Sequence, residues 1–431
     1  MYRYLLSLSM ATLILTPALA QTAGETSNNI AETTGMQPAR TTEQTTPLSL
    51  RDALTLAFGA NAELSVARHE IDAVEATLQQ AGTRPNPEVS VLVEDTRRET
   101  RTTTLQLNQV IEFGGKRDAR IDAATRARDG ATADLNAKRA DIRAAVITAF
   151  FEVLNAQERL LLADASVDLA QRGTNVAARR VTAGKVSPVE ETKARVAQAN
   201  SQLERIQAKS ELASARKRLA ATWGNPVARF EHAEGQFETL PEIPAWTDLA
   251  TRLRAAPAIT RARLEVDRRQ ALARLESSRR ISDVTLSVGF KRSEELGRNQ
   301  AIVGLSMPLP FFDRNQGNVA EALRRTAKAR DELAAAEIRI DSELAQAYER
   351  LHTARQEAEA LQREILPGAQ SAYDAATTGF EFGKFGFLDV LDAQRTLLQA
   401  KSQYLRTLSD AHRAAAEIER LLGEPDHALQ Q

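Results

Sequence analysis

The stretch IRAAVITAFFEVLNAQERLLLADASVDLA, residues 142–170, decides the fold of this chain because its apolar and small residues recur in alternating steps of four and three. A period of 3.5 residues is that of a coiled-coil seam, so the stretch predicts a long, straight, packed helix. The seam consists of Ile142, Val146, Ala149, Val153, Ala156, Leu160, Ala163, Val167 and Ala170. A second apolar stripe beside it, which predicts neighbours on two sides, consists of Ile147, Phe150, Leu154 and Leu161.

A second copy of this pattern lies in IDSELAQAYERLHTARQEAEALQREI, residues 340–365, and its seam is displaced by 198 positions from Val146 onward. Other features recur at nearly the same distance, in the same order along the chain. Leu64, Ala67, Ile71 and Val89 match Ile259, Ala262, Val266 and Val284, and Gly184-Lys185 and Gly224-x-Pro226 match Gly383-Lys384 and Gly423-x-Pro425. Chance similarity among alanine-rich helices does not keep such features in order, so the chain is predicted to be duplicated.

In each half the apolar period also changes from 3.5 to 2, which predicts a hairpin of two strands. Hairpins are expected at 88–113, after Arg84-Pro85-Asn86-Pro87, and at 284–311, with loops at 95–101 and 291–300. A single helix from Ser49, its cap, to Gln80 is expected before the first hairpin, and Pro367 is expected to kink or interrupt the second long helix. The expected long helices are 116–180 and 318–366, the tips 181–188 and 379–387, and the return helices end at 222 and 422.

The ends and the middle of the chain complete this organisation. A charged start, a short apolar run and Ala18-Leu19-Ala20 predict a signal peptide at 1–20 that is cleaved before Gln21. The two structural repeats are expected at 48–226 and 248–425. A flexible arm is expected at 21–47, a linker with little regular structure at 227–247, and a tail at 426–431.

Composition excludes several classes of function. The 431 residues are 5% aromatic and 26% charged, which suits long helices better than a thick globular core. A net charge of -1 gives no basic excess for nucleic acid, and the lack of cysteine excludes disulfides, thiolate metal sites and a lipidated cysteine. The sequence has no nucleophile elbow, phosphate-binding loop or pocketed carboxylate pair, so it predicts neither an enzyme nor a bound cofactor.

The route into a membrane follows from the same patterns. After the signal peptide, no segment approaches 18 consecutive apolar residues, so any membrane insertion is expected to use the strands. Four strands cannot close a barrel, and strand edges cannot stay unpaired in hydrocarbon. The sequence therefore predicts a mainly α fold with a small β part that forms a cyclic oligomer in the outer membrane, with a long helical extension on the periplasmic side.

The duplicated order and three motifs resemble the TolC family of outer-membrane efflux channels, over nearly all of the mature chain. The motifs are Arg84-Pro85-Asn86-Pro87, Glu112-Phe113-Gly114-Gly115-Lys116-Arg117, and Phe387-Leu388-Asp389-Val390-Leu391-Asp392-Ala393. The first two resemble most the subunit of cobalt-zinc-cadmium and copper-silver efflux systems, the CzcC branch. The resemblance implies a homotrimer whose twelve strands form one barrel in outer-membrane lipid, continuous with a helical tunnel. It also implies docking, through a periplasmic adaptor, to an inner-membrane pump of the resistance-nodulation-division class.

In that family, the aspartates of the last motif ring the periplasmic end of the channel, which assigns this role to Asp389 and Asp392. Their spacing places both on one helix face, and without the family match they would simply stabilise the start of a helix. The aligned residues of the first repeat are Glu190 and Lys193. The tips Gly184-Lys185 and Gly383-Lys384 are expected to turn the chain and to face the adaptor.

No resident metal site is predicted, because the five histidines are His69, His232, His352, His412 and His427, and no two have helical ligand spacing. The cargo is expected to be heavy-metal cations, on motif similarity alone. Drug efflux or protein secretion by the same kind of channel remains an alternative. A periplasmic coiled-coil adaptor or structural protein, the alternative from another class, would share the long helices but not the two hairpins.

Overall fold

A computed structural model describes residues 47–423 of the chain. The predicted signal peptide, all but the last residue of the predicted arm, and the C-terminal tail lie outside the described residues. Long helices dominate the rest, which confirms the mainly α fold. The helices are α1 (Leu50–Ala60), α2 (Ala62–Ala81), α3 (Lys116–Thr182), α4 (Pro188–Ala221), α5 (Trp246–Leu253), α6 (Pro257–Ser278), α7 (Gln316–Ala360), α8 (Leu366–Glu381) and α9 (Phe387–Leu422).

The strands form two sheets. The larger sheet has the strand order β2-β3-β5-β6, with every neighbouring pair antiparallel, so the two hairpins join edge to edge. The smaller sheet is a parallel pairing of β1 with β4. The strands are β1 (Leu48–Ser49), β2 (Glu88–Glu94), β3 (Thr102–Ile111), β4 (Ala233–Glu234), β5 (Val284–Ser293) and β6 (Arg298–Ser306).

The seam that decides the fold lies at the centre of the helical part. Helix α3 has 67 residues, about 100 Å at 1.5 Å per residue, and packs against α2, α4, α6 and α9. Val146 and Val153 of its seam are fully buried, as are Leu344 and Ala347 of the matching seam in α7. Leu161 departs from the prediction, since the end of the second stripe is 63% exposed although Phe150 on the same stripe is buried.

The duplication is visible in two apolar cores. One joins α1, α3 and α4 around Leu54 and Phe150, and the other joins α5, α7 and α9 around Leu249 and Leu344. Leu54 and Leu249 stand 195 positions apart, the offset found between the halves of the sequence. None of the helices between residues 47 and 423 is long and apolar enough to cross a bilayer.

The prediction of one helix from Ser49 to Gln80 is wrong, because Asn61 divides it into α1 and α2. Ser49 does cap α1, by accepting a hydrogen bond from the Asp52 amide. The Asn61 side chain accepts hydrogen bonds from the amides of Glu63 and Leu64 and so starts a new helix. Its amide group also donates to the carbonyl of Thr222 over 2.7 Å, which ties this break to the end of α4.

The linker at 227–247 is more ordered than predicted. It contains β4, and α5 begins at Trp246, inside the predicted linker. Gln157 of α3 makes two hydrogen bonds to the backbone of Ala233, and Phe230 and Phe237 are buried against the helices. Two aromatic side chains in a segment without periodicity therefore anchor it, although no regular pattern marks them in the sequence.

The second hairpin is shorter at its base than predicted and longer at its turn. Strand β6 ends at Ser306 rather than near Phe311, because Pro308 and Pro310 lack the amide hydrogens that a strand pairing needs. At the other end the strands run into the predicted loop and leave only residues 294–297, where Gly297 has a φ of 60°. In the first hairpin, β2 has seven residues rather than about ten.

The second long helix changes its winding before Pro367. Helix α7 ends at Ala360, six residues earlier than predicted, and Leu361–Ile365 form a π-helical turn that leads into α8. Pro367 has no amide hydrogen, and its ring would clash with the carbonyl of Arg363 in a regular helix. The wider turn accommodates the proline while the chain keeps its helical direction.

Candidate functional site

The four-stranded sheet has one apolar and one polar face. Val89, Leu107, Val288 and Val303 lie opposite one another across the four strands, and Val91, Leu105, Phe290 and Ala301 form the next row. Val89, Val288 and Val303 are each more than half exposed. The other face carries the rows Ser90, Gln106, Gly289 and Ile302, and Glu88, Asn108, Ser287 and Gly304. Water would not favour such an exposed apolar face, whereas hydrocarbon would.

The length and edges of the sheet fit the same surroundings. Strands β3 and β5 have ten residues each and β6 has nine, which is the length of a tilted strand that crosses a bilayer. Within the described residues, β2 and β6 each pair on one side only. The sheet is therefore open at both edges and can accept further strands.

The junction between the sheet and the helices is held by residues of the Glu112-to-Arg117 motif, for which sequence reasoning gave no role. The Lys116 ammonium lies 2.7 Å from the Asp283 carboxylate and is 11% exposed. Glu112 forms an ion pair with Arg120, and the hydrogen bond from Arg120 lowers the pKa of Glu112. Gly114 has a φ of 75°, and a side chain there would meet Ile281. This junction locks the first hairpin and α3 to the start of the second hairpin.

At the opposite end of the helices, both predicted tips are helix stops of the same kind. The Lys185 amide donates to the Arg180 carbonyl and the Gly184 amide to Val181, with Gly184 at a φ of 66°. The Lys384 and Gly383 amides make the equivalent bonds to Gly379 and Phe380. This arrangement is the Schellman motif, in which glycine adopts the left-handed conformation. Both lysines are exposed.

Four helices meet behind these tips. Ala177 of α3, Ala194 of α4, Phe380 of α8 and Val390 of α9 form a small buried cluster. Arg180, in the last turn of α3, places its guanidinium carbon 3.8 Å from the centre of the Phe380 ring and donates to the Phe380 carbonyl over 2.7 Å. This contact, which no sequence pattern announced, fastens α3 to α8 at the tip.

The predicted acidic pair lies on the exposed side of α9. Asp389 and Asp392 are both exposed, whereas Val390 between them packs into the cluster. The Asp389 carboxylate accepts a hydrogen bond from the Gly386 amide over 2.8 Å and so caps its own helix. Asp392 does not share that bond. The structure thus supports the capping role for Asp389 and leaves Asp392 facing solvent.

The aligned residues of the first repeat differ in their surroundings. Glu190 is half-buried near the start of α4, and Lys193 is exposed. Their neighbour Glu191 forms an ion pair with Arg195 over 2.5 Å. An acidic residue at the start of α4 is therefore neutralised by an arginine of the same helix, whereas Asp392 of α9 faces solvent.

His412 of α9 is the buried histidine of the described residues. His412 is stacked on Phe151 at 3.6 Å between ring centres, and its Nε2 lies 3.1 Å from the Phe237 carbonyl. Burial lowers the pKa of His412, so this residue joins α9 to α3 and the linker as a neutral ring. In the part of the chain that the structure describes, no three His, Asp or Glu side chains are grouped as a metal site requires.

This arrangement of sheet and helices is the fold of outer-membrane channels. The structure of VceC from Vibrio cholerae matches it with a TM-score of 0.73 at 19% identity, over 87% of this chain and 96% of that one. The CmeC outer membrane channel of Campylobacter jejuni matches with a TM-score of 0.75 at 17% identity, over 87% and 85%.

The sequence itself gives the family. The model of the outer membrane efflux protein family matches residues 53–225 and 250–424, one match in each half, and the chain belongs to this family. It is 49% identical to the cobalt-zinc-cadmium resistance protein CzcC of Cupriavidus metallidurans over 423 residues, which cover 98% of this chain and 100% of that protein. The resemblance to the TolC-type channels and their CzcC branch is confirmed, and a periplasmic adaptor or structural coiled coil is excluded.

Proposed function

We propose that this protein is the outer-membrane channel of a tripartite efflux system and passively conducts heavy-metal cations from a pump and adaptor to the exterior. The observation that carries the proposal is the sheet, whose exposed apolar face and polar face stand at one end of long helices. A polar face gives ions a path, while the apolar face meets lipid. The helices then extend the path into the periplasm.

The working unit is a homotrimer. Three chains supply twelve strands, and closing the sheet pairs the free edges of β2 and β6, which hydrocarbon cannot leave open. The helices give a second reason for a trimer. Helix α4 carries an apolar stripe with the spacing of a coiled-coil seam, and each residue of the stripe is more than half exposed in the single chain. This stripe consists of Val189, Val196, Leu203 and Ile206. A neighbouring chain would cover it.

The proposed cargo and partners rest on the similarity to CzcC. CzcC is described as a cobalt-zinc-cadmium resistance protein, and identity of 49% over the full length supports divalent cations as the cargo here. Selection of the ion then rests with a resistance-nodulation-division pump and its adaptor. The exposed Lys185 and Lys384 at the two tips are the proposed adaptor contacts.

The tips also form the proposed gate. Asp389 and Asp392 of three chains make acidic rings that attract cations and repel anions, with a smaller net contribution from Glu190 and Lys193. Arg180 joins α3 to α8, which leads into the turn before α9, and in the proposed gate this contact belongs to the closed state. Opening would require this contact to break.

Separate experiments test the cargo, the trimeric channel and the docking at the tips. A deletion strain should lose tolerance to cobalt, zinc or cadmium and regain it with the wild-type gene, whereas unchanged metal tolerance with altered drug tolerance would overturn the cargo. Purified protein should form trimers by crosslinking and conduct cations across planar bilayers. For the adaptor, cysteine at Val186 or Phe385 should crosslink to it in cells, and no crosslink from either position would contradict docking at the tips.

A further inference from the structure

The apolar face of the sheet continues beyond the strands on the side where the helices begin. After β6 ends, Leu309, Phe311 and Phe312 are 62%, 69% and 94% exposed. This segment leads into α7, and the end of α6 leads into β5 beside it. We call residues 279–281 and 307–314 together the helix-side rim. Exposed aromatic rings at this level are typical of the boundary between hydrocarbon and lipid headgroups.

Two arginines of the helix-side rim face one cleft. Arg280 and Arg314 line it together with Leu309, Pro310 and Phe311. Arg314 donates through Nε to the Pro310 carbonyl, which holds its side chain along the cleft. Within residues 47–423, neither guanidinium belongs to an ion pair. The cleft thus combines two uncompensated cations with an apolar wall.

The neighbouring charges leave the cleft positive. Glu276 is occupied by Arg279 and by the side chain of Asn315, and Asp283 is occupied by Lys116. Asp313 accepts a hydrogen bond from the Asn315 amide and is the acidic neighbour in the rim itself. Two arginines against one carboxylate give a net positive charge.

The corresponding turn of the first half carries its own cations, Lys116 and Arg117. There Lys116 forms an ion pair with Asp283, and Arg117 donates to the Gly82 carbonyl much as Arg314 donates to the Pro310 carbonyl. The difference between the two turns is that Lys116 is neutralised by Asp283, whereas Arg280 and Arg314 have no carboxylate partner among residues 47–423.

We propose that the cleft between Arg280 and Arg314 binds the anionic headgroup of a glycerophospholipid in the periplasmic leaflet of the outer membrane. Guanidinium groups match phosphate oxygens through paired hydrogen bonds, while Leu309, Phe311 and Phe312 contact the acyl chains. The inference rests on the proposed function, because the sheet must lie in a bilayer for the rim to meet headgroups. The site would hold each chain at a fixed depth and rotation in the membrane.

The test uses Phe312→Trp in the full chain as a fluorescent reporter at the rim. The protein is reconstituted in vesicles that contain brominated phosphatidylglycerol or brominated phosphatidylcholine, and the signal of the chain without the reporter is subtracted. Phosphatidylglycerol should quench the reporter at a lower mole fraction, by about fivefold for each arginine. Adding Arg280→Ala and Arg314→Ala should remove this preference.

Arg324→Ala is the matched control, since this exposed arginine of α7 lies ten residues further along, about 15 Å below the cleft. It should keep the preference, and an equal loss in the control would overturn the site in favour of general surface charge. Equal quenching by both lipids would overturn headgroup selection. No quenching by either lipid would also overturn the site, because the rim would then not meet lipid. Ion conductance is measured on the same vesicles, so a conducting protein without lipid preference refutes only the lipid site, whereas a protein that does not conduct refutes the proposed function.

Discussion

Replacing Arg180 with alanine is expected to favour the open state of the channel. The wild-type guanidinium stacks on the Phe380 ring at 3.8 Å and donates to the Phe380 carbonyl over 2.7 Å, so it joins the last turns of α3 and α8. Alanine removes both interactions and leaves the fold of each helix intact. If the contact exists only in the closed state, its loss lowers the free energy of opening.

The magnitude follows from the two interactions. A cation over an aromatic ring contributes about 1 kcal/mol at a half-buried site, and a charged hydrogen bond contributes about 1 kcal/mol after allowance for exposure. The sum of about 2 kcal/mol corresponds to roughly a thirtyfold shift toward the open state for each chain. If the channel conducts only when all three chains have opened, and each opens independently, the shifts of the three chains multiply.

Single-channel recording in planar bilayers measures the shift as a higher open probability and mean conductance. Arg179→Ala is the matched control, because it removes the same charge from the same helical turn but does not touch Phe380. Arg180→Lys should lie between wild type and Arg180→Ala. A variant that loses thermal stability while its conductance stays at the wild-type value would refute the gating role, since Arg180 would then only stabilise the tip.

Three further predictions concern other residues. Asp392→Asn should reduce cation selectivity, measured by reversal potentials, without a change in helix stability, whereas Asp389→Ala should also remove a cap and cost about 1 kcal/mol; unchanged selectivity in both would contradict an acidic gate. Burial lowers the pKa of His412 below its ordinary value of 6.5, so below about pH 6.5 the unfolded chain binds more protons than the folded chain. The free energy of unfolding should therefore fall as the pH drops below about 6.5. Thermal unfolding of His412→Phe should show a flatter pH profile. Asp283→Ala should destabilise the junction by about 2 kcal/mol because the Lys116 ammonium loses its partner, and adding Lys116→Met should recover part of this in denaturant unfolding; a double variant no more stable than the single one would argue against an unpaired charge as the cause.

Local patterns predicted the elements well where one periodicity dominated a long segment. Most of the seam around Val146 and of its copy around Leu344 is buried, and the alternation from Val89 to Val93 marks the apolar face of the sheet. Both signals depend on residues close in sequence, whose side chains repeat with the geometry of one helix or strand. The break at Asn61 combines a local cap, which accepts from the Glu63 and Leu64 amides, with a contact to the Thr222 carbonyl 161 positions away that no local pattern reveals.

The candidate site also has features that the sequence shows and features that only the structure shows. The motif of Asp389 and Asp392 was visible in the sequence, but only the structure shows that the first caps its helix and that the second remains free. Arg180 and Phe380 stand 200 positions apart, and no spacing rule connects them. Their contact exists because the duplicated halves place two helix ends side by side.

The sequence by itself determined the duplicated series of long helices and hairpins, because periodicity, glycine stops and prolines act over a few residues. Tertiary structure alone decided which apolar residues stay uncovered, such as Leu161 and the stripe on α4 that begins at Val189, and which charges find partners. An apolar residue gives the same periodicity in the sequence whether its side chain is buried within one chain or between two chains. The heptad stretch at 142–170 therefore specifies a packed helix, and the surrounding fold makes that helix part of a channel wall.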